Sequence, residues 1–397
     1  MAALLTDLEL LRRLVAFDSV SRNSNLPIAD FICDYLDHPL CDVVRNFNED
    51  QSKVNLVVRL RADAKSFSPD ARSPRMNSGG LVLSGHMDVV PAEEPDWRSD
   101  PFVLTDVGDS LVARGACDMK GFVALAMNTM RQAVGWGLRE PLVLVLTFDE
   151  ELGTLGAQHF QKTWNGEFGL PKQAIIGEPT SLRVVRMHKG HTKMKAAFTG
   201  RGAHSGYPHL GVNAIEPAGR AIVALGELRR RLEGERADTS VHFPEVPYVA
   251  LNVARINGGS AMNIVPESCT VEWGFRPLPG MTSGPLVQRM ERAVRDAVNG
   301  AACEIVVTGD TPPFLTSADS DLHRKMCGFV EQDQSFGVSY ASDAGPLAQM
   351  GMECVLFGPG TIETAHKPNE SLPKAEFARA RVVLERAVHE FCRAGAY

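Results

Sequence analysis

The chain has 397 residues, 22% of them charged and 44% hydrophobic, with a formal net charge of -7, an ordinary globular profile that excludes fibrous and disordered classes. The negative balance argues against nucleic acid or an anionic membrane as partner, and no run of about 18 apolar residues is present to span a bilayer. At about 150 residues per domain the length calls for two domains.

Residues 1–21, MAALLTDLELLRRLVAFDSVS, space their apolar side chains as a helix does, with Asp7 and Glu9 among them. This predicts an amphipathic first helix rather than a basic-then-apolar leader, and a cytoplasmic location is the expectation. Short apolar runs follow at VNLVVRL (54–60), LVLSG (81–85), LVLVLT (142–147) and AIIG (174–177), with the helix-like GFVALAMNTMRQAV (121–134) between them. Alternation of this kind predicts βαβ units and a mainly parallel sheet. The stretch 63–80, rich in Ser, Pro, Asn and Gly, reads as a mobile surface loop.

Near residue 188 the pattern changes. Strands are predicted over 192–200, 247–258, 269–278 and 303–309, and helices over 212–233 and 284–300, which together give a small β-α-β-β-α-β sandwich. ECVLFGPG (353–360) then resumes the earlier style and a last helix closes the chain. The expected fold is therefore α/β, a discontinuous domain of mixed or parallel sheet (1–185 and 310–397) with a smaller α+β domain (186–309) inserted in it. The eight cysteines never form C-x-x-C, so reduced, mostly buried thiols are expected.

The segment FDEELGT (148–154) sets Asp149, Glu150 and Glu151 in a row directly after the apolar run 142–147. Such a triplet is commonly a solvated turn or a helix start. Here it leaves the end of a strand that reads as buried on both faces, the place where α/β sheets bind ligands. Three adjacent carboxylates inside a protein need a counter-charge. Other strand ends supply candidate partners: His86 and Asp88 in SGHMDVVP, Asp118 in ARGACDMKG, Glu178 in IIGEPT, and His366 in GTIETAHKPNE beyond a glycine turn. Imidazole and carboxylate suit Zn²⁺ and Co²⁺, and a carboxylate can bridge two ions. A pair of divalent cations would keep the triplet ionised. A carboxylate two residues after His86 would orient that imidazole and raise its basicity, which is the role expected of Asp88.

The motifs GHMDVVP, ARGACDMKGFVA, FDEELGTLGA, GEPT, HKGH, HSGYPHLGVNAI, RPLPGMT and GPGTIETAHKPNE occur in this order between residues 85 and 370. The chain resembles the co-catalytic zinc amidohydrolases of the M20 family, and within it the acetylornithine deacetylase branch. The resemblance implies a zinc-hydrolase catalytic domain and an inserted domain that pairs two chains into a homodimer. It implies one metal site of His86, Asp118 and Glu178, a second completed by Glu151 and His366, with Asp118 bridging, and Glu150 as general base. It implies that His204 reaches across a dimer interface to the partner's reacting carbonyl, that Arg276 clamps a substrate carboxylate, and that Asn263 helps bind substrate. His188 and His191 are expected to be structural.

The chemistry agrees with that assignment. An amide needs a nucleophile and a polarised carbonyl, a divalent metal supplies both, and an adjacent carboxylate can move the proton. The expected reaction is hydrolysis of N²-acetylornithine to ornithine and acetate, a step of arginine biosynthesis. N-acetylcitrulline, another N-acyl amino acid or N-succinyl-diaminopimelate is the alternative substrate, because Asp343, Glu363 and Thr364 depart from the usual pattern of that branch. A metal-dependent amide-binding protein without turnover is the alternative of another class, and Glu150 speaks against it. GPGTIE lacks the third glycine of a dinucleotide fingerprint and the lysine of a P-loop, and no G-x-S-x-G is present for a serine hydrolase.

Overall fold

The computed structural model describes residues 3–62, 76–77 and 79–393. Most of the polar stretch 63–80 lies outside them. The chain divides into two compact units, one of residues 1–186, 316–336 and 342–397, the other of residues 187–315 and 337–341. Among the described residues no helix is long and apolar enough to cross a membrane, and all eight cysteines are free thiols.

The first unit begins with the helix Asp7–Val15, started by a capping box between Thr6 and Glu9 and burying Leu10, Leu11, Leu14 and Val15. Reciprocal bonds between those two residues satisfy donors that the first helical turn leaves unpaired. The main sheet runs Cys41–Phe47, Val54–Leu60, Leu142–Thr147, Leu81–His86, Gln173–Ile176, Glu353–Leu356 from one edge inward. The first two pairings are antiparallel and the next three parallel. The sheet is thus mixed, with a parallel centre.

All six residues of Leu142–Thr147 and all six of Leu81–His86 are buried, which explains why these strands read as unbroken apolar runs. Each such Val or Leu contributes about 1.5–3 kcal/mol by leaving water, so their position in the sheet is firmly set. The edge strand Cys41–Phe47 alternates between half-buried and exposed residues and has no apolar run to announce it. The helix Gly121–Ala133 is buried on almost every side. Gly177 is required where that helix meets the sheet, since a Cβ there would stand 2.0 Å from the Phe122 ring.

Register brings the chemistry to one edge. His86 pairs with Thr147 in the parallel ladder, and Met87 donates its N–H to the Thr147 carbonyl. Two strands therefore end side by side, and the segments that follow them carry Asp88 and the 149–151 triplet. Gln173–Ile176 and Glu353–Leu356, also parallel, end at Glu178 and at the glycine turn before His366.

The second unit has the element order His191–Thr199, Ile215–Gly234, Ala250–Gly258, Ser268–Arg276, Ser283–Val298, Cys303–Thr311. Its four strands form an antiparallel sheet in the order Ala250–Gly258, Ser268–Arg276, His191–Thr199, Cys303–Thr311. Burial alternates along His191–Thr199 and Ser268–Arg276, as period-two side-chain placement requires of a sheet with one covered face. Met194, Phe198, Val271 and Trp273 from the strands share a core with Leu225, Leu232, Met290 and Val294 from the helices.

Candidate metal centre and active site

In the first unit the ends of the buried strands bring five of the expected ligands into two overlapping groups, His86–Asp118–Glu178 and Asp118–Glu151–His366. Within each group one ligand atom per residue lies within 4.8 Å of the others, and Asp118 belongs to both. His86, Asp118 and Glu178 are buried, whereas His366 stands at the open side.

The two histidines test whether a cation fits. His86 Nδ1 lies 2.9 Å from the Asp88 carbonyl oxygen, so Nδ1 carries the proton it donates. Its Nε2 then directs a lone pair at Asp118 Oδ1, 3.0 Å away. Two acceptors at that distance need a positive charge between them, either a proton or a metal ion. His366 repeats the arrangement, with Nε2 2.9 Å from Glu151 Oε2 and 3.3 Å from Asp118 Oδ2. Mixed nitrogen and oxygen donors of this kind are those that Zn²⁺ and Co²⁺ accept. The residues fit a divalent pair.

Electrostatics gives the same answer. Burial opposes a charge on His86, yet the hydrogen bond and charge of Asp118, with Asp88 and Glu150 nearby, push its pKa well above the ordinary value. Burial also works against the charge on Asp118, but bonds from His366 and His86 hold its carboxyl well below the usual range. Glu178 is pushed well up by burial and then by the charge of Asp118, and Glu150 by burial and then by Glu178. So many acids with two imidazoles make a site short of positive charge.

Ligation requires protons to leave. Glu151, raised to about 7 by burial and then by Asp118, and His366, raised to about 10 by bonds with Asp118 and Glu151, both hold protons in the metal-free protein just below those values. Binding of a divalent ion is therefore expected to release protons at neutral pH, and apparent affinity to rise with pH, because the competing protonated forms are lost. Calorimetric titration in buffers of different ionisation enthalpy measures the release. A proton count of zero would remove Glu151 and His366 from the ligand set.

The acidic triplet resolves into three separate environments. Asp149 pairs with the buried Lys53 ammonium at 2.6 Å, and that ammonium also donates to the Ser21 carbonyl. Glu151 faces His366. Glu150 lies between them with its carboxylate free of any hydrogen-bond partner among the described residues, and its backbone N–H is held by Asp88 Oδ1 at 3.0 Å. Lys53 has no motif to mark it in sequence. A lysine opposite three acids, across one strand pairing, was the only signal available.

Asp88 works differently from the sequence expectation. Its carbonyl rather than its carboxylate takes the His86 Nδ1 proton, the carboxylate standing 3.7 Å away. The carboxylate instead accepts from the Glu150 and Glu151 N–H groups and from the Ser21 hydroxyl, the last at 2.7 Å. The physical reason is local, since the chain turns as it leaves the strand and brings the carbonyl, not the side chain, to the ring.

Of the other positions singled out in the sequence, Asp343 is buried and accepts a hydrogen bond from the Thr147 hydroxyl. Its other oxygen has no partner among the described residues, and burial pushes it up to about 6. Glu363 is exposed, while Thr364 bonds to the carbonyls of Thr361 and Ser371. Glu370, which the sequence did not single out, is buried with both carboxylate oxygens bonded.

His204, Asn263 and Arg276 belong to the second unit. The short strands Ala203–His204 and Ile264–Val265 pair antiparallel, and the Ser205 N–H donates to the Asn263 carbonyl, so His204 and Asn263 stand together on one exposed two-stranded ribbon built from distant segments of the chain. His204 Nδ1 accepts from the Gly206 N–H at 3.0 Å, which leaves the proton of the neutral ring on Nε2 as an outward donor. Arg276 has no acidic partner among the described residues. Burial and then the Arg276 charge push Lys189 down to about 8, and the same two causes, with Lys193, push His191 down to about 3. His191 is thus a neighbour of Arg276. His188 is fully buried and packs edge-on against Phe314.

The model of Peptidase family M20/M25/M40 matches residues 82–390. The chain is 31% identical over 388 residues, 97% of each chain, to a protein of Erwinia tasmaniensis named acetylornithine deacetylase. In fold it is similar to an M20 family metallo-carboxypeptidase of Sulfolobus solfataricus, with TM-score 0.75, 18% identity and coverage of 97% of this chain and 98% of that one. It is also similar to a dinuclear metal-binding M20 peptidase of Bacillus subtilis, with TM-score 0.67, 14% identity and 97% of each chain covered. The two ligand groups that share Asp118 stand within the matched segment, and the chain belongs to peptidase family M20/M25/M40, an enzyme of that family's amidohydrolase and peptidase class.

Proposed function

We propose that this enzyme hydrolyses the N-acetyl amide of N²-acetyl-L-ornithine to L-ornithine and acetate, using two divalent ions, Zn²⁺ or Co²⁺. The observation that carries the reading is Asp118 common to two ligand groups, with the uncommitted carboxylate of Glu150 beside them. The name carried by curated relatives that cover nearly the whole chain supports the substrate. His86, Asp118 and Glu178 would hold one ion, and Asp118, Glu151 and His366 the other. When bound, such ions polarise an amide carbonyl and bring the pKa of a water from ~15.7 toward ~7.

The chain's own residues do the remainder. Glu150 takes a proton from the attacking water and returns it to the amine nitrogen as the C–N bond breaks, a role worth ~10²–10⁴-fold in rate. Asp88 fixes the backbone from which Glu150 projects. Arg276, a cation set among Lys189 and His191 without an acidic partner among the described residues, suits a substrate carboxylate, for which its parallel donors form a fork. His204, on its exposed ribbon, would serve the substrate of a second chain, and Asn263 beside it would help bind substrate. Tyr207, Met262 and Ile264 are exposed apolar residues on and beside that ribbon, which supports pairing of two copies into a homodimer. A cytoplasmic location goes with this role.

Steady-state kcat/KM on N-acetyl-ornithine, N-acetyl-citrulline, N-acetyl-methionine and N-succinyl-diaminopimelate tests the substrate, with N-acetyl-ornithine expected to lead. A higher value for another member would reassign it. Arg276→Met is expected to lower kcat/KM by about 10–100-fold, the loss of a charge-assisted bond worth about 1.5–3 kcal/mol. The same change should matter little for the substrate's carboxamide analogue. An equal loss for both would deny Arg276 the carboxylate.

A further inference from the structure

Glu370 lies four residues beyond His366, and nothing in the chemistry above uses it. It is 1% exposed, yet four donors converge on its two oxygens. Oε1 accepts the N–H groups of Cys117 at 2.8 Å and Asp118 at 2.9 Å. Oε2 accepts the Gly115 N–H and Arg114 Nη1, each at 3.0 Å. Three of these four donors are backbone groups of the turn that presents the shared ligand Asp118.

That turn cannot hold itself. Asp118 has φ -120° and ψ 95°, and Met119 φ -137° and ψ 33°, far from helical values, so the ordinary intrahelical acceptors are missing and buried N–H groups need another partner. Glu370 provides it. Arg114, also 1% exposed, carries the connection outward through the Pro91 carbonyl and Glu94 at 3.0 and 3.1 Å, with its guanidinium 5.2 Å from the centre of the Trp97 ring. The loops bearing Asp118 and His366 are thereby tied together at one carboxylate.

We propose that Glu370 is the positioning residue of the shared ligand, fixing the Asp118 backbone relative to His366 so that the ligand set is formed before an ion arrives. The inference rests on the two-ion reading. Glu370 touches neither substrate nor ligand atom. A carboxylate is needed because four donors require two acceptor oxygens, whereas glutamine offers one and presses its NH₂ against N–H groups. Residues that orient ligands in this way typically change metal affinity by about 10–100-fold when replaced.

The test titrates the metal-free full chain with Co²⁺, followed by calorimetry and visible absorption, for the wild type, Glu370→Gln and Glu370→Asp. Glu370→Gln is expected to weaken binding by about 10–100-fold, to alter the cobalt spectrum and, at saturating metal, to lower kcat with KM within about twofold. Glu370→Asp keeps the charge but is one methylene short, and an intermediate loss is expected. A glutamate with a merely structural role would lower the unfolding temperature and leave the affinity and spectrum of the folded protein alone. Wild-type affinity and spectrum in Glu370→Gln would overturn the proposal, and in Glu370→Asp would do so alone if the glutamine variant does not fold. A wild type that takes up no divalent ion would instead overturn the two-ion reading, and this inference with it.

Discussion

Glu150→Gln is expected to retain both ions and to lose at least ~10²-fold in kcat, the usual contribution of a positioned general base. Glutamine keeps the shape of the side chain, and no hydrogen bond to the carboxylate is lost, because among the described residues it makes none. The backbone stays where Asp88 Oδ1 holds the residue's N–H, at 3.0 Å. What disappears is the ability to accept a proton. Burial and then the charge of Glu178 push Glu150 above the ordinary glutamate range in the ion-free protein, and bound cations would favour the ionised form that accepts the proton. Metal content and rate measured on one sample decide the matter. An activity within a few-fold of wild type at full metal loading would mean that another group moves the proton.

Four of the five candidate metal-binding side chains are legible because each of the four is announced locally. His86, Glu151 and Glu178 follow apolar runs that could only be buried strands, and His366 follows a glycine turn; a buried strand end in an α/β sheet is where polar side chains meet. The residues that hold the ligands were not legible, because they act across the chain. Lys53 and Asp149 are 96 residues apart, and Glu370 and Asp118 are 252 apart, so neither pair leaves a spacing to read. Asp88 is legible as a neighbour of His86, but which of its oxygens takes the ring proton is not. Its two-residue separation from His86 is short enough for carboxylate or carbonyl, and only the turn of the backbone decides between them. The edge strand Cys41–Phe47 escaped for a different reason, since its charged and half-exposed residues carry neither an unbroken apolar run nor a clean alternation. In the second unit, period-two burial was legible along His191–Thr199, but the cationic neighbourhood of Arg276 depends on two strands lying side by side.

Mixing His204→Ala chains with Glu150→Gln chains, each nearly inactive alone, is expected to restore activity. His204 Nδ1 accepts from the Gly206 N–H, so the neutral ring presents its remaining proton on Nε2, and the residue is exposed on its two-stranded ribbon. A donor fixed in this way can stabilise the negative charge that develops on the amide oxygen, and loss of one such donor typically costs ~10²–10³ in kcat, about 3 kcal/mol. If His204 serves a second chain, a mixed dimer contains one site with two defects and one with none. At random exchange of equal amounts about half of the dimers are mixed, so the restored rate should approach about a quarter of the wild-type value per site, well above either parent's ~10²-fold or greater deficit. Subunit exchange is verified with differently tagged chains before the rate is read. If His204 serves its own chain, every site keeps one defect and the mixture stays as slow as the parents.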